Sequence, residues 1–170
     1  MAEKNNNYIL IGMPGSGKST IGVLLAKALG YDFVDTDLVI QQKGGGLLKE
    51  IIARIGNDGF KQLEEDVNAS IDVNKSVIAP GGSAVYSDKA MRHFKEIGTI
   101  IYLKLDYQTV KRRLGNLKAR GVVLKKGQTL RDLYNERIPY YEKYADITVD
   151  QYKQSIEQTL KAVRKALEEN

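Results

Sequence analysis

The sequence predicts an α/β fold, a three-layer α/β/α sandwich around a five-stranded parallel sheet. Two observations carry that expectation. Short apolar runs alternate with helical patterns along the whole chain, which is the signature of parallel strands covered on both faces. The 170 residues, 42% of them hydrophobic, supply one buried core and too little chain for two ordinary domains, so a single domain over 1–170 is expected. No internal repeat or low-complexity stretch interrupts the alternation.

YILIG at 8–12 reads as a buried strand, followed by a helix over 19–29. DFVD at 32–35 is the second strand. Helical patterns cover 47–55 and 59–71, the latter rich in Glu and Asp on its outer face. SVIAP at 76–80 is the third strand, Ser87 caps a helix running to Ile97, and TIIYLKL at 99–105 is the fourth strand. Asp106 caps a helix to Leu114, a long helix covers 130–144, ITV at 147–149 forms the fifth strand, and 156–167 is a terminal amphipathic helix. The run Gly44-Gly45-Gly46 follows a helix rather than a strand and reads as a helix stop.

Composition removes several chemistries. Without cysteine there are neither disulfides nor thiolate metal sites, and the single His93, read as a surface residue, cannot build a zinc cluster. Catalysis must rest on Lys, Arg, Asp and backbone. The polar start MAEKNNN and the lack of a long apolar run predict a cytoplasmic protein with no membrane partner. The net charge of +5 is concentrated rather than spread. Between Tyr107 and Arg131 stand Lys111, Arg112, Arg113, Lys118, Arg120, Lys125 and Lys126, with no acidic residue. The middle of that stretch, GNLKARGVVLKKGQ, holds three glycines and reads as a mobile excursion over about 115–128.

GMPGSGKST at 12–20 fits G-x-x-x-x-G-K-[ST] in the context that motif requires, after an apolar strand and at the opening of a helix. Gly12, Gly15 and Gly17 let backbone N–H groups turn inward around a phosphate, and Pro14 and Ser16 complete the loop that would bind it. Lys18 reaches the β- and γ-phosphates, the Ser19 hydroxyl ligates Mg²⁺, and Thr20 continues the helix whose positive end faces the anion. This predicts an ATP-binding site.

Asp35 and Asp37, in DFVDTD, are two positions apart, and on an extended chain both would point to one face and repel. The simplest reading is a turn in which Asp37 caps the helix beginning at LVIQQ. Absences narrow the alternatives. There is no N-K-x-D or D-x-x-G of a GTPase, and the third strand ends in Pro80 and glycines rather than an acid. Asp106 is more simply a helix cap, which leaves Asp35 as the better carboxylate for the metal or its waters. A P-loop in a small chain with a basic mobile segment suggests a small-molecule kinase, in which that segment closes over ATP and brings arginine to the transferring group.

At this point the chain resembles the shikimate kinase family, of the nucleoside-monophosphate-kinase-like P-loop fold. The resemblance is carried by GMPGSGKST, FVDTD, PGGSAV, the segment with Arg120, and ERIPYYEKYADITVD, which follows the family's R-x-P-L-Y signature. It implies that Lys18 and Ser19 handle phosphates and Mg²⁺, that Asp35 supports the metal through water, and that Asp37 accepts a hydrogen bond from the acceptor hydroxyl. Arg112 would lie by the adenine and Arg120 would be a lid arginine on the phosphates. Gly81 and Gly82 would present backbone to the sugar-like ring, and Arg137 would clamp the substrate carboxylate. The segment over about 37–72 would be the substrate-binding helical part. A monomer with a small-molecule substrate is expected.

Three departures fall on the substrate or lid side. Where the family has F-R-x-x-E this chain reads FKQLEE, so Lys61 replaces a planar fork with a point charge. The triple-glycine turn becomes Gly81, Gly82, Ser83, and Arg120 is followed by Gly121 rather than proline. The reading is therefore phosphorylation of shikimate to 3-phosphoshikimate, with a kinase for another small polyol or hydroxy acid as its alternative. A nucleic-acid-associated ATPase is disfavoured, because no aromatic-plus-basic RNA motif accompanies the charge.

Overall fold

The computed structural model describes residues 6–115, 122 and 124–170. Its sheet has the order β2-β3-β1-β4-β5, with all pairings parallel. The strands are β1 (Asn7–Ile11), β2 (Asp32–Asp35), β3 (Ser76–Ala79), β4 (Gly98–Lys104) and β5 (Ile147–Asp150). The helices are α1 (Lys18–Leu29), α2 (Thr36–Gly44), α3 (Leu48–Ala69), α4 (Asp88–Ile97), α5 (Tyr107–Leu114), α6 (Leu130–Tyr144) and α7 (Ile156–Glu168). A single 3-10 turn, Ala84–Tyr86, links β3 to α4.

The two-residue period of the strands sorts the core into two layers. Ile9 and Ile11 of β1 and Ile100 and Tyr102 of β4 face α4, α5 and α6, where Phe94, Val110 and Tyr141 pack against them. Leu10, Ile101 and Leu103 face the other way, toward Ile21 and Leu25 of α1 and Val163 of α7. A third, small cluster stands apart: Ile40 of α2 with Ile51 and Val67 of α3. The segment expected to bind substrate thus has a satellite core of its own.

The two helical patterns over 47–55 and 59–71 are joined in α3, whose backbone breaks at Gly56 with φ 75° and ψ 174°. Asp106 caps α5 as expected, accepting from the Thr109 N–H at 3.0 Å, and Gly45 ends α2 in the left-handed conformation. Two expectations need correction. Asp35, not Asp37, caps α2: its Oδ1 accepts from the Asp37 N–H at 2.9 Å, because the helix starts two residues earlier than the apolar pattern suggested. His93 is not a free surface residue, since its Nε2 lies 2.6 Å from the Ile71 carbonyl oxygen. Among the described residues no helix is long and apolar enough to cross a membrane.

Candidate active site

Parallel strands deliver their following loops to one edge of the sheet, and ligands of such folds bind there, beyond the carboxyl ends. The loops after β1, β2, β3 and β5 line a single cleft of about 1430 Å³.

The nucleotide end is made mostly of backbone. Gly12 and Gly17 hold φ of 155° and 91°, in a range that L side chains rarely adopt, and this turns the loop back over the start of α1. A Cβ on Gly12 would lie 2.8 Å from Ser16 Oγ and 2.9 Å from the Leu103 carbonyl oxygen, so the cradle has no room for one. Five other helices are capped by side chains, from Asp35, Ser87, Asp106, Thr129 and Ser155. At α1 the cap is Gly17, which offers no side chain, and no acid occupies the first turn. The N–H groups and positive end of α1 therefore remain for an anion. Lys18 Nζ donates to the Gly12 and Met13 carbonyls at 2.9 and 3.0 Å. Burial lowers its pKa to about 8, against the opposing pull of Asp37. A lysine held over two carbonyls with a weakened proton is in want of an anion. The Ser16 hydroxyl is buried and, among the described residues, has no hydrogen-bond partner, as suits a loop that closes on phosphate oxygens. From below, the Gln151 amide donates to the Ser16 carbonyl at 2.8 Å and anchors the loop to the end of β5.

Of the arginine pair on α5, Arg113 is the one that turns into the cleft. Its Nη1 donates to the Gly15 carbonyl at 3.1 Å; both arginines are exposed, and Arg112, the one expected beside the adenine, is not part of the cleft lining. Helical spacing could not separate two adjacent arginines without knowing which face packs. Arg120 and Gly121, the centre of the lid expectation, lie outside the described residues.

The acceptor end is made of side chains. Asp37 opens α2 facing the glycine turn after β3, where a Cβ on Gly81 would sit 3.2 Å from Asp37 Oδ1 and 3.5 Å from Glu64 Oε2. Burial, then the neighbouring Asp35 charge, pushes the Asp37 carboxyl above its ordinary range, with Lys18 opposing. Such a group is a better proton acceptor than a surface aspartate. The turn eases the like-charge problem of DFVDTD without removing it: Asp35 spends one oxygen on the backbone, and the Lys18 ammonium offsets part of what the Asp35 charge does to Asp37.

Arg137 is 7% exposed on α6. Its Nε donates to Tyr86 Oη at 3.3 Å, and Tyr86 donates to Glu136 Oε2 at 2.9 Å. A Cβ on Gly82 would approach Arg137 Nη1 to 2.8 Å and Pro14 Cδ to 2.9 Å, so this glycine is the place where P-loop, turn and arginine meet. Tyr141 does more than pack: it stacks on Tyr102 with ring centroids 5.2 Å apart, and its hydroxyl donates to the Gly82 carbonyl at 2.9 Å. Lys61 lines the cleft from α3 and, among the described residues, makes no hydrogen bond or ion pair. The Ser83 hydroxyl faces Glu64, a carboxylate that sequence reasoning left without a role although it closes the F-x-x-x-E segment.

A phosphate cradle and the half-buried Asp37 carboxylate lining one cleft, over a parallel sheet of this order, define a P-loop phosphotransferase for a small acceptor. The comparisons with known proteins agree. The family model described as Shikimate kinase matches residues 14–168. The chain is 38% identical over 145 residues to the shikimate kinase of Mycobacterium ulcerans, covering 84% of this chain and 78% of that one. It is 34% identical over 181 residues to that of Chlorobium chlorochromatii, covering 99% and 94%. The solved shikimate kinase from Acinetobacter baumannii in complex with shikimate superposes with a TM-score of 0.87 at 28% identity, over 99% of this chain and 96% of that one. The chain belongs to the shikimate kinase family.

Proposed function

We infer that this protein is an ATP-dependent kinase that phosphorylates shikimate to 3-phosphoshikimate. The observation that carries the reading is the convergence of Lys18, Asp37 and Arg137 on one cleft, close enough that Asp37 and Arg137 both act on the Lys18 ammonium. They provide a phosphate clamp, a proton acceptor and a carboxylate clamp.

ATP, when bound, supplies the γ-phosphoryl group, and Mg²⁺ supplies charge neutralisation on its oxygens. The donor set suits that ion. The exposed Ser19 hydroxyl at the start of α1 and the Asp35 oxygen left free by the α2 cap would hold it, with water and phosphate oxygens filling the other positions, as Mg²⁺ prefers. Asp37 takes the proton of the acceptor hydroxyl as that oxygen bonds to phosphorus, and Lys18 follows the charge as it moves to the departing diphosphate. Arg137 and Lys61 hold the acceptor carboxylate, Gly81 and Gly82 present backbone to its ring, and Arg113 lies by the nucleotide. Arg120 is assigned to the phosphates by family resemblance. Arg120→Ala should lower turnover by up to about 10³-fold, the lower end for an arginine finger. The protein is read as a cytoplasmic monomer with small-molecule partners.

The test is a coupled ADP-release assay with ATP and Mg²⁺ across shikimate and a set of small hydroxy acids and polyols. Turnover on shikimate well above the rest is expected, at about 1 to 100 per second. A clear preference for another acceptor, which Lys61 and Ser83 would then fit, would replace the substrate but not the reaction class.

A further inference from the structure

Ser83 has a side chain that neither the backbone nor the helix caps require. Its φ of −85° and ψ of −6° are open to any residue, and its side chain makes no capping bond to the 3-10 turn it precedes. Its hydroxyl instead lies 2.9 and 2.8 Å from the two carboxylate oxygens of Glu64. Glu64 is 7% exposed, on the cleft-facing side of α3, one helical turn after Lys61. Burial pushes its carboxyl up, and the bond from Ser83 is the largest influence pulling it back down, ahead of Arg137 and Lys61. Among the described residues Glu64 pairs with neither of those cations.

A buried carboxylate needs a donor, and breaking its bond leaves it to take the nearest cation. Here those cations are Lys61 and Arg137, the two groups read above as holding the acceptor carboxylate. A guanidinium at position 61 could serve Glu64 and the acceptor at once through separate N–H groups, whereas an ammonium is a single compact charge. We propose that Ser83 is a positioning residue for the acceptor: its hydroxyl occupies Glu64, so Lys61 and Arg137 stay free for the substrate carboxylate despite the missing fork at position 61. The inference rests on the acceptor reading above.

Steady-state kinetics with shikimate and with ATP test it in five proteins: wild type, Ser83→Gly, Ser83→Thr, Lys61→Arg, and Lys61→Arg with Ser83→Gly. Ser83→Gly should raise the KM for shikimate about tenfold, the scale of one hydrogen bond to a charged group, with kcat and the KM for ATP within about twofold. Ser83→Thr, which keeps the hydroxyl, should recover most of the loss. Lys61→Arg should cancel the effect of Ser83→Gly, so the two changes fail to add by about tenfold. Additive changes, an unchanged or lower shikimate KM in Ser83→Gly, or a KM for ATP that rises in parallel would each overturn the proposal while wild-type turnover left the acceptor reading standing. Wild-type enzyme inactive on shikimate would overturn both.

Discussion

Between Gly12 and Ser19 the cleft is walled by main chain, whereas the opposite wall is assembled from Asp37, Lys61, Glu64, Ser83 and Arg137, side chains drawn from four separated segments. The first wall rests on the central sheet, with Leu10 and Ile21 fully inside its core. Much of the second hangs on the satellite cluster of Ile40, Ile51 and Val67. A site made of backbone is fixed by a few glycines and a helix end, so it tolerates little change and recurs as a recognisable string. A site made of side chains can be retuned one residue at a time, and the departures at Lys61 and Ser83 fall there.

The sharpest way to break this contrast is at the residue that bridges both walls. Lys18→Ala should lower kcat by about 10³- to 10⁵-fold, a loss comparable to that of an arginine finger. Because the folded pKa of Lys18 is lowered to about 8 from an ordinary value of 10.5, its charged form is disfavoured by folding. Wild-type stability should therefore rise as pH increases from about 8 toward 10.5, and the variant should lack that rise. Thermal melts across that window check it: a Lys18→Ala melting curve that climbs like wild type would show another group to be responsible.

Asp37→Asn comes next, with an expected loss of about 10²- to 10⁴-fold that added Mg²⁺ does not repair. Asp35→Asn should lose less and recover with Mg²⁺, since asparagine can still accept the Asp37 N–H and keep α2 capped. Removing the Asp35 charge should also move the acid limb of the kcat profile to lower pH, because that charge helps raise the Asp37 carboxyl. Identical magnesium responses and an unmoved limb would erase the division of labour between the two aspartates.

Gly82→Ala should separate the walls by kinetics. Its Cβ would press on Arg137 Nη1, the end of a flexible side chain, and on Pro14 Cδ, part of a stiff ring. We expect the KM for shikimate to rise about tenfold or more and the KM for ATP to change less, from progress curves at varied concentrations of each. The smallest effect is for Lys61→Arg, which should lower the shikimate KM by no more than about tenfold, the low end for one charge-assisted hydrogen bond, and leave that for ATP alone.

What could be read in advance divides along the same line. Alternating apolar runs gave the five strands, and GMPGSGKST gave the cradle, because both are local patterns whose physical meaning does not depend on distant residues. An apolar pattern marks the buried face of a helix and not its first turn, so it points to Asp37 as the cap of α2 where Asp35 is the cap. Adjacent arginines carry no local mark of which one faces the cleft, so Arg112 is expected where Arg113 lines it. Glu64 was within a quoted motif but had no partner in sight until the turn after β3 brought Ser83 across from it, 19 residues away in sequence. Contacts of that kind exist only in three dimensions.

The central claim is that one cleft joins an ATP cradle to a shikimate site, and the most direct test is to identify the product. Wild-type protein incubated with ATP, Mg²⁺ and shikimate should yield ADP and a single phosphate monoester at the 3-hydroxyl of shikimate in a one-to-one ratio, measured by phosphorus NMR. Release of ADP with inorganic phosphate and unchanged shikimate, or no consumption of ATP at all, would contradict the account.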